Sequence, residues 1–352
     1  MNPTLVSLDP LERFDAIIDA RSPAEFAEDH IPGAINLPVL DNDERARIGT
    51  LYTQESSFAA KKVGAALVAR NVARHLETHF LEQEKGYRPL IYCWRGGNRS
   101  GAMVTILRAV GWHALQLEGG YKTFRKQVMT DLETLPDTFR FSVVCGPTGS
   151  GKSLFLRTLD EMGAQVLDLE ALAAHKGSLL GALPDTPQPN QKLFESRIWH
   201  ALRGFDPARP VFVESESKKI GVLHVPAHLI ERMRASECLR IEADPALRIA
   251  LLKDEYTHFL ADPARLNRQL DLLVDLRGRD RIEHWKSLAI AGDWDTLVTL
   301  LLNEHYDPAY HRSLSSNYPQ ATQGLWLRLT SAKSTVLRTQ AAKTIALFHS
   351  SR

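Results

Sequence analysis

Apolar and polar positions along this chain switch between two periods. In the first half, short apolar runs bounded by polar or turn residues predict buried strands at Ala16–Asp19, Pro89–Cys93 and Ala114–Leu117. Between them the spacing is helical. Pro23–Glu28 starts a helix with proline in its first turn. Ser56–Leu81 carries Phe58, Val63, Leu67, Val72 and Leu76 on one helical stripe. Ser100–Val110 and Tyr121–Leu135 predict two more helices, the second after a break at Gly119-Gly120. Strands alternating with helices predict a parallel sheet with helices on both faces.

A boundary is expected near Pro136-Asp137, giving domains 1–136 and 137–352. The second half repeats the rhythm, with strands at Phe139–Cys145, Gln165–Leu169, Pro210–Val213 and Cys238–Glu242 and a helix at Lys152–Met162. The stretch Gly181–Asn190, with prolines at 184, 187 and 189, predicts a loop with scope to move. Beyond Pro245 the pattern is almost wholly helical. The fold class is therefore α/β, with a helical C-terminal extension.

Length and charge narrow the function classes. At 352 residues, two domains are the natural division, each large enough for its own core. The 43 Lys and Arg nearly cancel the 42 Asp and Glu, for a net charge of +1. A nucleic-acid site must then be a local patch. No apolar run approaches a membrane span, and the first residues lack the basic start and apolar core of a secretory signal, so the cytoplasm is expected. The three cysteines, Cys93, Cys145 and Cys238, are too sparse for a disulfide framework or a zinc cluster. Cys145 and Cys238 fall on strands and read as core packing.

Cys93 is different. It ends a strand and opens the loop CWRGGNRS before a helix. A strand-to-helix turn aims backbone N–H groups and a helix dipole at one point, which favours a thiolate and a bound anion. Arg95 and Arg99 add positive charge, Gly96 and Gly97 permit the tight backbone, and Asn98 completes the loop. Such a site can take sulfur or selenium from an anionic carrier. The plainer alternative is a buried structural cysteine.

The second chemical signal is GPTGSGKS at 146–153, a full phosphate-loop match lying between a strand and a helix. Gly146, Gly149, Ser150 and Gly151 shape a cradle of amides. Lys152 supplies a point charge, and the Ser153 hydroxyl can ligate Mg²⁺. An acid at a neighbouring strand end is expected to help, with Asp168 and Glu214 as candidates. No N-K-x-D guanine signature is present. ATP, GTP or another diphosphate would all suit the loop.

The first 130 residues resemble the rhodanese pattern. The matching residues are Asp19-Ala20-Arg21, Glu25-Phe26, His30–Asn36 (HIPGAIN), the loop at Cys93, and Gly119-Gly120-Tyr121. That likeness implies a buttressing role for Asp19 and Arg21. With the phosphate loop, the segments YCWRGGNRSGAM, CGPTGSGKS, LDLEALAAHKGS and VFVESESKKIG resemble the tRNA 2-selenouridine synthase family along nearly the whole chain. The family usually has Arg where this chain has Lys176, which loses the planar fork, and Gln where it has Asn98.

The resemblance implies a rhodanese-like domain followed by a P-loop NTPase-like domain. It implies replacement of sulfur by selenium at the wobble 2-thiouridine (position 34) of tRNA, using selenophosphate, by way of S-geranylation from geranyl diphosphate. Mg²⁺ and a selenophosphate supply enzyme are implied as cofactor and partner. The competing reading is a sulfurtransferase coupled to an ATP-dependent kinase or NTPase; a third is a non-enzymatic rhodanese module beside a nucleotide sensor. For the tRNA anticodon loop, the acid-free basic tail Arg328, Lys333, Arg338, Lys343 and Arg352 is the expected phosphate contact, with Arg277, Arg279 and Arg281 as a second group. Trp94, Tyr121 and Trp199 are the aromatics available to stack a base.

Overall fold

The computed structural model describes residues 5–8, 13–95, 97–178, 180–322 and 324–350. The chain forms two compact units: Met1–Asp131 with Asn190–His200, and Leu132–Pro189 with Ala201–Arg352.

The first unit runs β1 (Leu5–Val6), β2 (Ala16–Asp19), α1 (Pro23–Glu28), β3 (Ile35–Asn36), α2 (Asn42–Gln54), α3 (Ser57–His75), β4 (Pro89–Tyr92), α4 (Asn98–Val110), β5 (Leu115–Leu117) and α5 (Gly120–Leu132). Its sheet has the order β1-β5-β4-β2-β3, and every pairing is parallel. The central strand β4 (PLIY) is buried at all four positions, which explains its unbroken apolar run. α3 begins at Ser56, whose hydroxyl accepts the Ala59 N–H, and passes into a π-helical turn at Leu76–Phe80. Phe58, counted above on the buried stripe, is 67% exposed because it lies in the first turn, ahead of the buried Ala60, Gly64 and Leu67.

The second unit places β6 (Phe141–Cys145), α6 (Lys152–Glu161), β7 (Gln165–Leu167), α7 (Leu169–Ala173), β8 (Val211–Glu214), β9 (Lys219–Ile220), β10 (Leu223–His224), α9 (Ala227–Arg234) and β11 (Glu237–Ala243) in succession; α8 (Gln191–Arg203), between α7 and β8 in the chain, belongs to the first unit as far as His200. Helices follow: α10 (Pro245–Glu255), α11 (Thr257–Ala261), α12 (Pro263–Leu270), α13 (Val274–Arg277), α14 (Arg279–Ala291), α15 (Trp294–Leu301) and α16 (Asp307–Asn317). The chain then enters β12 (Leu325–Leu329) and ends in α17 (Ser334–Ser350). The main sheet is β12-β11-β6-β8-β7, again all parallel.

The C-terminal region is helical as expected, apart from the strand β12. It alternates, with Leu327 and Leu329 buried and Leu325, Trp326 and Arg328 facing out, and it extends the sheet beside β11. The loop over 181–190 is pinned by Gln188, which donates to Ala173 O and Ile220 O and accepts from the Val222 N–H. The first part of α8 packs with the first unit: the Trp199 indole donates to Asp131 at 2.7 Å, and Arg125 pairs with Glu195.

Candidate functional site

Cys93 sits at the end of β4, beneath the N-terminus of α4. Its Sγ accepts a hydrogen bond from the Ser100 hydroxyl at 3.1 Å, and Gln116 Nε2 donates to that same hydroxyl at 2.8 Å. The thiol is only 3% exposed and shares a core with Ile91, Met103 and Val104. The sequence read Cys93 as a reactive thiol that ends a strand and opens the loop. The fold tucks the sulfur under that loop, with a hydroxyl chain behind it.

The rest of the loop is built by distant motifs. Asp19 and Arg21, both buried, form an ion pair at 2.6 Å, and Arg21 also donates to Asp29 O and lies 4.0 Å from the Tyr121 ring centre. The Tyr121 and Lys122 N–H groups bond the carbonyls of Cys93 and Trp94. Arg99 does not face the loop as a free cation, because Glu25 of α1 holds it at 2.6 and 3.1 Å. Burial works against that carboxylate, but Arg99 overrides it and holds the Glu25 pKa down at about 2. Arg95, Gly97 and Asn98 are exposed, and Gly97 caps α4. Gly96 lies outside the described residues.

In the second unit, the phosphate loop joins β6 to α6. Gly149 and Gly151 have φ of +76° and +87°, a conformation that side chains resist. At Gly146 a Cβ would stand 2.4 Å from Ser150 Oγ and 2.7 Å from Ile241 O, so only glycine fits. The buried Ser150 Oγ has no hydrogen-bond partner among the described residues. Lys152 Nζ donates to Gly146 O at 2.6 Å, and Ser153 Oγ donates to Glu170 Oε2 at 3.2 Å. The loop borders an open pocket shared with Glu170, Lys176, Glu216, Tyr256 and His305.

The two candidate acids part company here. Asp168 caps α7, its carboxylate accepting the Ala171 N–H at 2.8 Å. Glu214 ends β8 fully inside; one oxygen accepts the Glu170 N–H at 2.8 Å and the other has no partner among the described residues. Glu170, not singled out from the sequence, is the acid that meets Ser153. Burial raises the pKa of Glu170 to about 7 and that of Glu216 to about 8, and pushes Glu214 well above the usual carboxylate range. Among the described residues, no three His, Cys, Asp or Glu side chains converge as metal ligands. Mg²⁺ beside Ser153 and Glu170 fits only if phosphate oxygens complete its shell.

Sequence reasoning also missed Arg248 of α10. Its guanidinium donates to Thr148 O at 3.0 and 2.7 Å, and to both Asp307 oxygens at 2.9 and 2.6 Å. It ties the phosphate loop to α16, and nothing in the local pattern marks it. Lys176 donates to Glu255 O, pairs with the Glu255 carboxylate at 3.2 Å, and lies 4.5 Å from the Tyr256 ring centre. Cys145 and Cys238 are both buried, on neighbouring strands.

The RNA-facing expectations divide as well. Tyr121 and Trp199 are buried at 4% and 1%, so neither is free to stack a base, while the half-buried Trp94 stacks on Tyr121. The basic tail folds into β12 and α17 and packs into the second unit's core through Leu337, Ala341 and Phe348. Arg328 pairs with Asp244 and Arg338 with Glu161; Lys333 and Lys343 are exposed, and Arg352 lies outside the described residues. Arg277 donates to His305 Nδ1, Arg281 pairs with Glu304, and Arg279 is exposed. Among the described residues, no helix is long and apolar enough to cross a membrane.

Fold and sites together define a rhodanese-like thiol domain joined to a P-loop domain. Residues 7–127 match the Rhodanese-like domain, and residues 139–271 match the tRNA 2-selenouridine synthase AAA domain. The chain is 32% identical over 345 residues to a tRNA 2-selenouridine synthase of Salmonella typhimurium, covering 88% of this chain and 92% of that protein. It is 30% identical over 334 residues to one from Sulfurovum sp., covering 86% and 89%. Against one from Nitrosomonas europaea it is 34% identical over 244 residues, 68% of this chain and 63% of that protein's length. The chain belongs to the tRNA 2-selenouridine synthase family.

Proposed function

We propose that this protein converts 2-thiouridine at the wobble position of tRNA to 2-selenouridine, in two steps served by two sites. In the first, the phosphate loop holds geranyl diphosphate. The thio sulfur forms a bond to the ester carbon, the C–O bond breaks, and the electron pair leaves with diphosphate. Lys152 and the loop amides take up that charge. Mg²⁺ beside Ser153 and Glu170 would supply further neutralisation of the diphosphate.

In the second step, selenium of selenophosphate attacks C2 and the C–S bond breaks. Geranyl thiol departs with its electron pair and a proton, and water then cleaves the Se–P bond to release phosphate. The first step serves the second, because an S-alkyl group leaves an electron-poor pyrimidine carbon far more readily than thiocarbonyl sulfur. Cys93 belongs to the selenium step, as a guide that orients selenophosphate for its attack on C2. Because its sulfur is buried, the exposed loop of Arg95, Gly97 and Asn98 must open for that step.

The observation that carries this reading is the complete phosphate cradle, with Lys152 and a Ser153–Glu170 pair, in the same chain as a hydroxyl-backed thiol at a helix N-terminus. Mass spectrometry of tRNA nucleosides, from selenite-grown cells with and without this protein, tests it. We expect 2-selenouridine only where the protein is present. Equal amounts in both would refute the assignment.

A further inference from the structure

Next to the phosphate-loop pocket lies a second void that the mechanism has not used. It opens among α10, α11, α12 and α15 and has about 550 Å³ of empty volume, its mouth included. Its lining includes the apolar side chains of Phe259, Leu266, Trp294, Leu297 and Val298. Several of these belong to the buried core of the helical region, which native packing would normally close. Thr148, Leu252, Tyr256 and Tyr306 border both this void and the phosphate-loop pocket. Burial lifts the Tyr306 hydroxyl to a pKa of about 12, so it stays neutral at this shared rim.

A ligand filling both spaces needs phosphate at one end and hydrocarbon at the other. A nucleotide base suits the void badly, since its ring nitrogens would lose water and find almost no polar partners. We propose that the void receives the hydrocarbon tail of the diphosphate ester whose head the phosphate loop binds, and that Trp294 and Val298 set the accepted tail length. This rests on the diphosphate reading above and adds a tail site to it.

The experiment compares S-alkylation of 2-thiouridine tRNA by five-, ten- and fifteen-carbon prenyl diphosphates, using the full chain, Val298→Phe and Trp294→Ala. Affinity for inorganic pyrophosphate is measured in parallel as a readout of the head site alone. We expect Val298→Phe to raise KM for the ten-carbon ester at least about ten-fold, to spare the five-carbon ester, and to keep pyrophosphate affinity. Trp294→Ala should admit the fifteen-carbon ester, and it decides the matter should Val298→Phe fail to fold. Unchanged chain-length preference in both variants, with the wild type using the ten-carbon ester, would overturn the tail site and leave the head reading standing. A wild type that binds pyrophosphate yet transfers no prenyl group would overturn both.

Discussion

At the scale of single residues, two groups make sharp predictions. Ser100 gives Cys93 its described hydrogen bond, so Ser100→Ala should slow selenation about ten-fold, the worth of one such bond, and leave geranylation untouched. Rates of both steps on one tRNA preparation check this, and equal loss of both would contradict it. The second group is the carboxyl cluster at the phosphate loop. Burial raises Glu170 to about 7 and Glu216 to about 8. The folded state therefore holds protons that the unfolded state sheds near pH 4 to 5, and stability should fall as pH rises from about 5 to 8. The slope can reach ~1.4 kcal/mol per pH unit for each group. Urea titrations across that range should show the fall, and Glu216→Gln should flatten it. A wild-type profile that rises with pH would contradict this electrostatic account.

At the scale of elements, the phosphate loop is a strand–loop–helix unit clamped from outside. Arg248 spans from Thr148 O to Asp307 with a planar fork that lysine cannot reproduce. Arg248→Lys should weaken pyrophosphate binding about ten-fold and destabilise the protein by roughly 2 kcal/mol. Calorimetry and urea melts check both numbers, and unchanged binding would make the clamp purely structural. Arg248 also shows where sequence reading stops. β4 and β6 were legible because central parallel strands bury both faces and read as unbroken apolar runs. The phosphate loop was legible because its glycines and lysine have fixed spacing. β12 was not, because its alternation is short, exposed on one side and set among helices. Arg248, Glu170 and the partner of Arg99 were invisible for another reason: each acts through a contact made only when distant segments meet.

At the scale of the whole molecule, the proposed chemistry is divided between two units, each with its own parallel sheet. The resemblance in the rhodanese motif implied a buttressing role for Asp19 and Arg21; the two form a buried ion pair, with Arg21 against the Tyr121 ring. It did not foresee how deeply Cys93 lies, which follows from packing against α4. The most direct measurement is nucleoside mass spectrometry of 2-thiouridine tRNA incubated with geranyl diphosphate, selenophosphate and the Cys93→Ala protein. S-geranyl-2-thiouridine should form at the wild-type rate, with no 2-selenouridine. Loss of geranylation as complete as the loss of selenation would contradict it.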